Sequence, residues 1–378
     1  MFAQIDTSNY TKIEQDGIYY FLDDKYSQAY VCSKHDYPKN YTIYDFEDKE
    51  PTYSGCVKIP NVVTYNSKEY AVVSLIDFAF YKCNELEEII VPSNLVSIER
   101  HALSKCGNIK MNIPENLSVL GAYAFKDTYV KNVRTLVLPN AEWILNCALD
   151  GSRFDKVTFG SNLKYFYSYI FRNSSIETVE FQGMPDGEPL QTSVHAFYGF
   201  KGKEIRLPNQ PIKFTYELFN NCPNMERLVF PPVTEHKHID DFQDVAAIEG
   251  RYSDVNDLIY NCPNMKEVVC YATTPPQFHT RWGNVYTDFC IIDKPDCVLK
   301  VPFGSEELYR ADPVWGKFQI ITGFEPDEYT SISSPYAITD NSDAPVEYFN
   351  LQGMKVTNTS QGNIYIRRQG TNVEKVIL

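Results

Sequence analysis

Nowhere in this 378-residue chain do apolar residues run on for the 18 or so positions that a membrane helix needs. Positive charge is not in excess either. Thirty-five Lys and Arg stand against 49 Asp and Glu, a formal net charge of −14. That balance argues against a nucleic-acid footprint and against docking on anionic lipid. There are only six histidines, and the ten cysteines include no Cys-x-x-Cys pair. Zinc ribbons and thioredoxin-like redox motifs are therefore not expected. Ten cysteines in a chain this long are no disulfide framework. No Gly-x-Ser-x-Gly, His-Glu-x-x-His or Walker A loop occurs. The opening Met1-Phe2-Ala3-Gln4 has neither a basic n-region nor an apolar h-region. It reads as an ordinary cytosolic start, or as a mature secreted chain whose leader has been trimmed.

The composition is otherwise that of a globular protein, with 43% hydrophobic and 22% charged residues. Internal repetition dominates it. Ala79-Phe80-Tyr81-Lys82-Cys83 is followed by Leu86, Ile89, Val91 and Pro92. Ala102-Leu103-Ser104-Lys105-Cys106 is followed by Ile109, Met111, Ile113 and Pro114. Further copies begin at Ala124, Ala148, Ile170, Ala196, Leu218 and Leu258, at steps of 23, 22, 24, 22, 26, 22 and 40 residues. Each closes on an apolar-x-apolar triplet, which predicts a short strand with one buried face. Proline often follows and ends the strand. A second apolar pair, such as Leu95 and Ile98 or Leu117 and Leu120, leads into the next Ala-Phe turn. One unit of about 22 residues cannot bury its apolar side alone, whereas stacked units share a continuous core. Cys83, Cys106, Cys222 and Cys262 then form one interior column, with Thr128 and Ser174 at the matching place elsewhere.

The pattern Ala-Phe-x-x-Cys-x-x-Leu-x-x-Ile-x-Ile-Pro resembles the BspA-like leucine-rich repeats of Bacteroidetes-type bacterial surface proteins. The resemblance covers residues 56–324. It implies a β-rich α/β fold: a right-handed leucine-rich-repeat solenoid with a parallel sheet on its concave side. Asp150-Gly151-Ser152 and Gly199-Phe200-Lys201 replace the Cys-containing turn, so distortion of those central coils is expected.

Residues 1–55 fall outside the repeat and predict an N-terminal β cap, with strand-like runs at Gly17–Leu22 and Tyr26–Val31. The 40-residue step carries an insertion near residues 231–257, where the spacing of Phe242, Val245, Ala246 and Ile248 suits a short helix. Gly304–Tyr309 reads as a short helix with Ser305 as N-cap. Residues 325–345, rich in Ser, Pro and Asp, read as a linker. Residues 346–378 read as a small C-terminal β module. It resembles the C-terminal modules of exported Bacteroidetes proteins, sorting signals among them, and reads equally as a plain β appendage. Cys290 and Cys297 lie off the repeat and either pair across a loop or remain thiols.

Neither a cofactor nor a metal is expected. His236 and His238, near Asp240 and Asp241, lack helical spacing and a third ligand. His101 and His195 read as packing or surface residues. The middle residue of each triplet is expected to face outward: Ile90, Asn112, Val137, Thr158, Glu180, Arg206, Val229 and Val269. Of these Asn112, Val137, Thr158, Glu180, Arg206 and Val229 are the candidate ligand-binding residues. A broad, partly apolar sheet suits a protein or glycan ligand better than a phosphate or a metal. The same residues serve equally as solvent-facing strand formers, or lie under the C-terminal tail. The expectation is a secreted or cell-surface, non-enzymatic recognition or adhesion protein that binds a host or surface macromolecule. The alternatives are a carbohydrate-active hydrolase, with acids at Asp240, Asp241, Asp244 and Glu249, and a structural subunit of a surface assembly.

Overall fold

The structure is a computed structural model, and it describes residues 7–183, 189–215, 217–233, 235–238, 258–279, 295–327, 329, 346–349, 355–356, 364–369 and 372–377. Two compact units make it up, Met1–Ser333 and Ser334–Leu378.

In the first unit each repeat contributes three stacked segments. One is a very short strand at the second apolar pair: Ser97–Ile98, Val119–Leu120, Trp143–Ile144, Tyr165–Phe166, Leu190–Thr192, Ile212–Phe214. These pair in parallel, coil to coil, and belong to an unbroken 13-stranded sheet. An antiparallel meander, Thr11–Gln15, Ile18–Asp23 and Gln28–Cys32, opens that sheet and joins it through Lys68–Leu75. Its Tyr20, Leu22, Ala29 and Val31 enter the same core as the repeats.

The second segment is the apolar-x-apolar strand. Here the ladder is broken into sheets of four, three and five strands. The first break follows Gly107–Met111, whose downstream partner is Thr128–Val130 and not Thr135–Leu138. Side chains complete the ladder at that point. The Asn112 amide receives a hydrogen bond from Val91 N and donates to Val91 O, both at 2.8 Å. Asn132 does the same with Met111, at 2.9 and 3.1 Å.

The third segment is the Ala-Phe turn. Alternate amides bridge to the next coil: Phe78 N to Arg100 O, Phe80 N to Ala102 O and Lys82 N to Ser104 O. The amides between them close tight turns within the coil, as in Ala79 N to Ile76 O and Tyr81 N to Phe78 O. Every second backbone donor therefore points along the stack, as buried polar groups require. The distortion expected at 150–152 and 199–201 is not found in this ladder, since Gly151 N reaches Arg172 O and Gly199 N reaches Asn220 O.

The repeat starts at Ala79, Ala102, Ala124, Ala148, Ile170, Ala196, Leu218 and Leu258 are all fully buried. Four residues on, the Cys/Thr/Ser column is a column of small donors. Cys106 Sγ donates to Phe80 O (3.0 Å), Thr128 Oγ1 to Leu103 O (2.5 Å), Ser174 Oγ to Phe171 O (2.7 Å) and Cys222 Sγ to Phe197 O (3.1 Å). Cys106, Thr128 and Cys222 share a bond to the preceding coil, which explains why thiol and hydroxyl interchange there, whereas Ser174 bonds within its own coil.

Beyond the repeats lie a strand at Val298–Pro302, a helix at Glu306–Ala311 and a strand at Ile320–Phe324, with Tyr309 and Trp315 fully buried. Ser305 precedes the helix, but its side chain makes no capping bond. Gly304 N donates to the Glu306 carboxylate instead, at 2.7 Å. Most of the insertion, with its expected helix and Asp240, Asp241, Asp244 and Glu249, lies outside the described residues, as does Cys290. Cys297 is buried in the main core.

The second unit is a four-stranded antiparallel sheet in the order Lys355–Val356, Val346–Phe349, Ile364–Gln369, Asn372–Ile377.

Candidate recognition surface

The outward row of the apolar-x-apolar strands is not one open face. Val137 pairs with Thr158 and Thr158 with Glu180 in the three-stranded sheet. Arg206, Val229 and Val269 pair in the five-stranded sheet. Val137 is 48% exposed and Thr158 half-buried. Glu180, Arg206 and Val229 are buried, at 7%, 6% and 0%. That corrects the expectation of an exposed row. Lys156 pairs with the Glu180 carboxylate at 2.6 Å. Over Arg206 lie the rings of Tyr271 and Tyr329. Asn112 stands just past the end of its strand, and its amide is committed to Val91. Val137 and Thr158, with Ile90 on the neighbouring sheet and the exposed Asn112 past the end of its strand, remain accessible for binding from that set.

A more continuous candidate surface lies on the 13-stranded sheet. Its outward register runs Ser97, Val119, Trp143, Tyr165, Gln191, Lys213. Trp143 and Tyr165 stack with centroids 3.5 Å apart and planes 13° from parallel. The two rings therefore lie face to face on neighbouring strands of the sheet. Tyr167 lies 6.4 Å from Tyr165, and Val96 is 41% exposed on an earlier coil. Lys164 and Glu142 pair at 2.9 Å beside the aromatic step. Trp143, Tyr165, Tyr167, Gln191 and Lys213 are all half-buried. The combination of an apolar centre with amide and charged groups at its margin is that of a macromolecular contact surface. In the sequence this segment reads only as a second apolar pair. The available signal was Trp143 and Tyr165 at equivalent places in successive units.

The turn side carries polar clusters. Asp150 accepts from Arg172 (2.6 Å) and Asn173 (3.0 Å) and lies 3.6 Å from Lys126. His195 bonds Tyr169 Oη through Nδ1 and Glu217 through Nε2, each at 2.6 Å. Burial raises Tyr169 above the usual phenol value, so it stays protonated at neutral pH. The three side chains hold one another in place across successive coils. His101, by contrast, is a packing residue, stacked between Phe78 and Tyr123. His236 and His238 belong to the strand Glu235–His238, which pairs with Ile212–Phe214. Among the described residues no group of three or more His, Cys, Asp or Glu is placed to hold a metal ion.

Stacked coils of about 22 residues, parallel ladders and a shared apolar core define a leucine-rich-repeat protein. More narrowly, residues 49–177 and 189–249 match the BspA type leucine rich repeat region in six copies, and the chain belongs to that family. No curated protein matches it. Among solved structures it is similar to a leucine-rich repeat protein from Bacteroides capillosus (20% identity, covering 46% of this chain and 99% of that one, TM-score 0.27). It is also similar to the pneumococcal vaccine antigen PcpA (13% identity, 84% and 99% covered, TM-score 0.34). A third is a leucine rich cell surface protein from Faecalibacterium prausnitzii (10% identity, 83% and 94% covered, TM-score 0.28).

Proposed function

We propose that this chain is a secreted or cell-surface recognition protein without catalytic activity, which binds a protein or glycan of a host or matrix surface. The observation that carries the reading is the half-exposed aromatic step Trp143–Tyr165 on the parallel part of the 13-stranded sheet. Membership in the BspA type family adds to it, because that resemblance implies adhesion at the bacterial surface. Ring edges flanked by a Glu–Lys pair and an amide offer area with little entropy to lose, the usual make-up of a binding hot spot. The purified protein should be screened against immobilised matrix proteins and a glycan array. A variant carrying Trp143→Ser and Tyr165→Ser should lose roughly tenfold or more in affinity for any ligand found. A Val137→Ser variant should bind as the parent does. If Val137→Ser abolishes binding and the aromatic variant does not, the recognition face is the other sheet.

A further inference from the structure

The buried half of the outward row has an occupant that belongs to this chain but to no repeat. The five-stranded sheet places Arg206, Val229 and Val269 on the side away from the main core, whose cluster takes their neighbours Leu228, Phe230 and Val268 instead. Over this side runs the segment that leaves the last strand at Phe324. Tyr271 Oη donates to Asp327 Oδ1 at 2.7 Å. Tyr329 Oη donates to the backbone carbonyl of Leu207. The Arg206 guanidinium lies 5.5 Å from the centre of the Tyr329 ring and 5.8 Å from that of Tyr271. The two tyrosines meet edge to face at 4.9 Å and 76°. The Glu204 carboxylate lies 3.5 Å from the Arg206 guanidinium on the same strand.

On the segment's part all of these contacts are made by side chains, and residues 325–327 add no strand to the sheet. Three groups on the sheet therefore define a seat: a guanidinium for an aromatic face, a phenol for a carboxylate, and a carbonyl for a hydroxyl. We propose that this seat is a peptide-docking site for an acidic aromatic motif, a carboxylate two residues ahead of a tyrosine, and that Asp327 and Tyr329 fill it in cis. A partner carrying the same motif would compete with the chain's own segment. The segment then acts as a strap that sets the threshold for binding, because a tethered ligand has a high effective concentration.

The test uses the full chain and a synthetic peptide of residues 324–330. A double variant, Asp327→Ala with Tyr329→Ala, should bind the peptide, while the parent protein shows at least tenfold weaker binding. Adding Arg206→Gln to the double variant should remove the binding. The proposal fails if the folded double variant does not take the peptide. It also fails if a scrambled peptide binds equally, or if Arg206→Gln changes nothing. Should the double variant not fold, amide exchange in the parent decides. Exchange at 325–329 at least a hundredfold faster than at Val229 and Val269 fits a strap that opens above an intact sheet. Equal protection makes the segment part of the core and overturns the proposal.

Discussion

His101 occupies a column in which its neighbours are Phe46, Phe78 and Tyr123, with ring centroids 4.4, 5.1 and 4.7 Å apart along the stack. Burial, with Arg100, Lys126 and Lys105 nearby, pushes the imidazole down to about 3, against the opposing pull of Glu47. The unfolded chain takes up this proton near pH 6.5 and the folded one does not. The stability tied to neutral His101 is thus complete above about pH 6.5 and drains away as pH falls towards 3. At pH 5 the loss is about 2 kcal/mol. Replacing His101 with Phe, which the column already accommodates at Phe78, should flatten the acid limb of a plot of melting temperature against pH. An unchanged limb would place the acid sensitivity elsewhere. Glu99 works in the opposite direction. Burial raises it to about 7, so its contribution is present below the ordinary carboxyl range and is lost as pH rises through 7. Glu99→Gln should therefore raise the melting temperature at pH 8 and leave it nearly unchanged at pH 4. The thiols follow the same physics. Burial lifts Cys106 well above the usual thiol value and pushes Cys270 up to about 12, and a hydrogen bond with Cys262 together with burial lifts Cys222, whereas Cys56 is exposed. Alkylation of the folded protein followed by peptide mass mapping should mark Cys56 and leave Cys106 untouched until denaturant is added. Equal rates at the two would contradict the buried column.

At the scale of the turn, a regularity appears that hydrophobic patterning does not reveal. Phe78, His101, Tyr123, Cys147, Tyr169, His195 and Glu217 all have left-handed backbone, and so do Lys82, Lys105, Asp127 and Asn173 four residues after the corresponding member of the first set. Gly151 and Gly199 hold the same place in two other coils, at φ 69° and 74°. This explains why glycine stood in for other residues at the two segments expected to be distorted: the backbone there favours it. A branched residue should be poorly tolerated. Lys105→Val should cost roughly 1–2 kcal/mol relative to Lys105→Gly in urea denaturation. Equal stability of the two would show that the turn relaxes away from φ 61°. The Ala, Phe and Cys columns were legible in the sequence because each position stacks on its own copy and repeats its constraint. The break after Met111 was not, because it depends on the Asn112 and Asn132 amides replacing a backbone ladder. The two-residue strands of the long sheet were illegible as strands for a different reason. Two residues carry no periodicity, and their outward positions vary freely among Val, Trp, Tyr, Gln and Lys. The strap was beyond reach altogether, since Tyr329 and Leu207 are 122 residues apart.

Across the repeat unit, stability is carried from neighbour to neighbour. Charges reinforce this: Glu204, Arg227, Glu267 and Lys300 alternate in sign across four adjacent strands and pair in sequence. A one-strand slip would bring like charges together, so the row specifies register more than it adds stability. The core does the larger part. Phe166 meets Phe159, Phe171, Phe181 and Phe197 at centroid distances of 5.4, 5.8, 5.8 and 5.2 Å, linking three successive coils. Phe166→Ala should cost about 3–5 kcal/mol locally. Where each coil touches only the next, such a defect weakens its neighbours most and distant coils least. Hydrogen exchange resolved by segment should therefore show the greatest loss of protection at Trp143–Ile144, Tyr165–Phe166 and Leu190–Thr192. The loss should shrink towards Lys68–Leu75 in one direction and Val298–Pro302 in the other. A uniform loss across the unit would mean that the shared core melts as a single cooperative body, and the nearest-neighbour description would have to be given up.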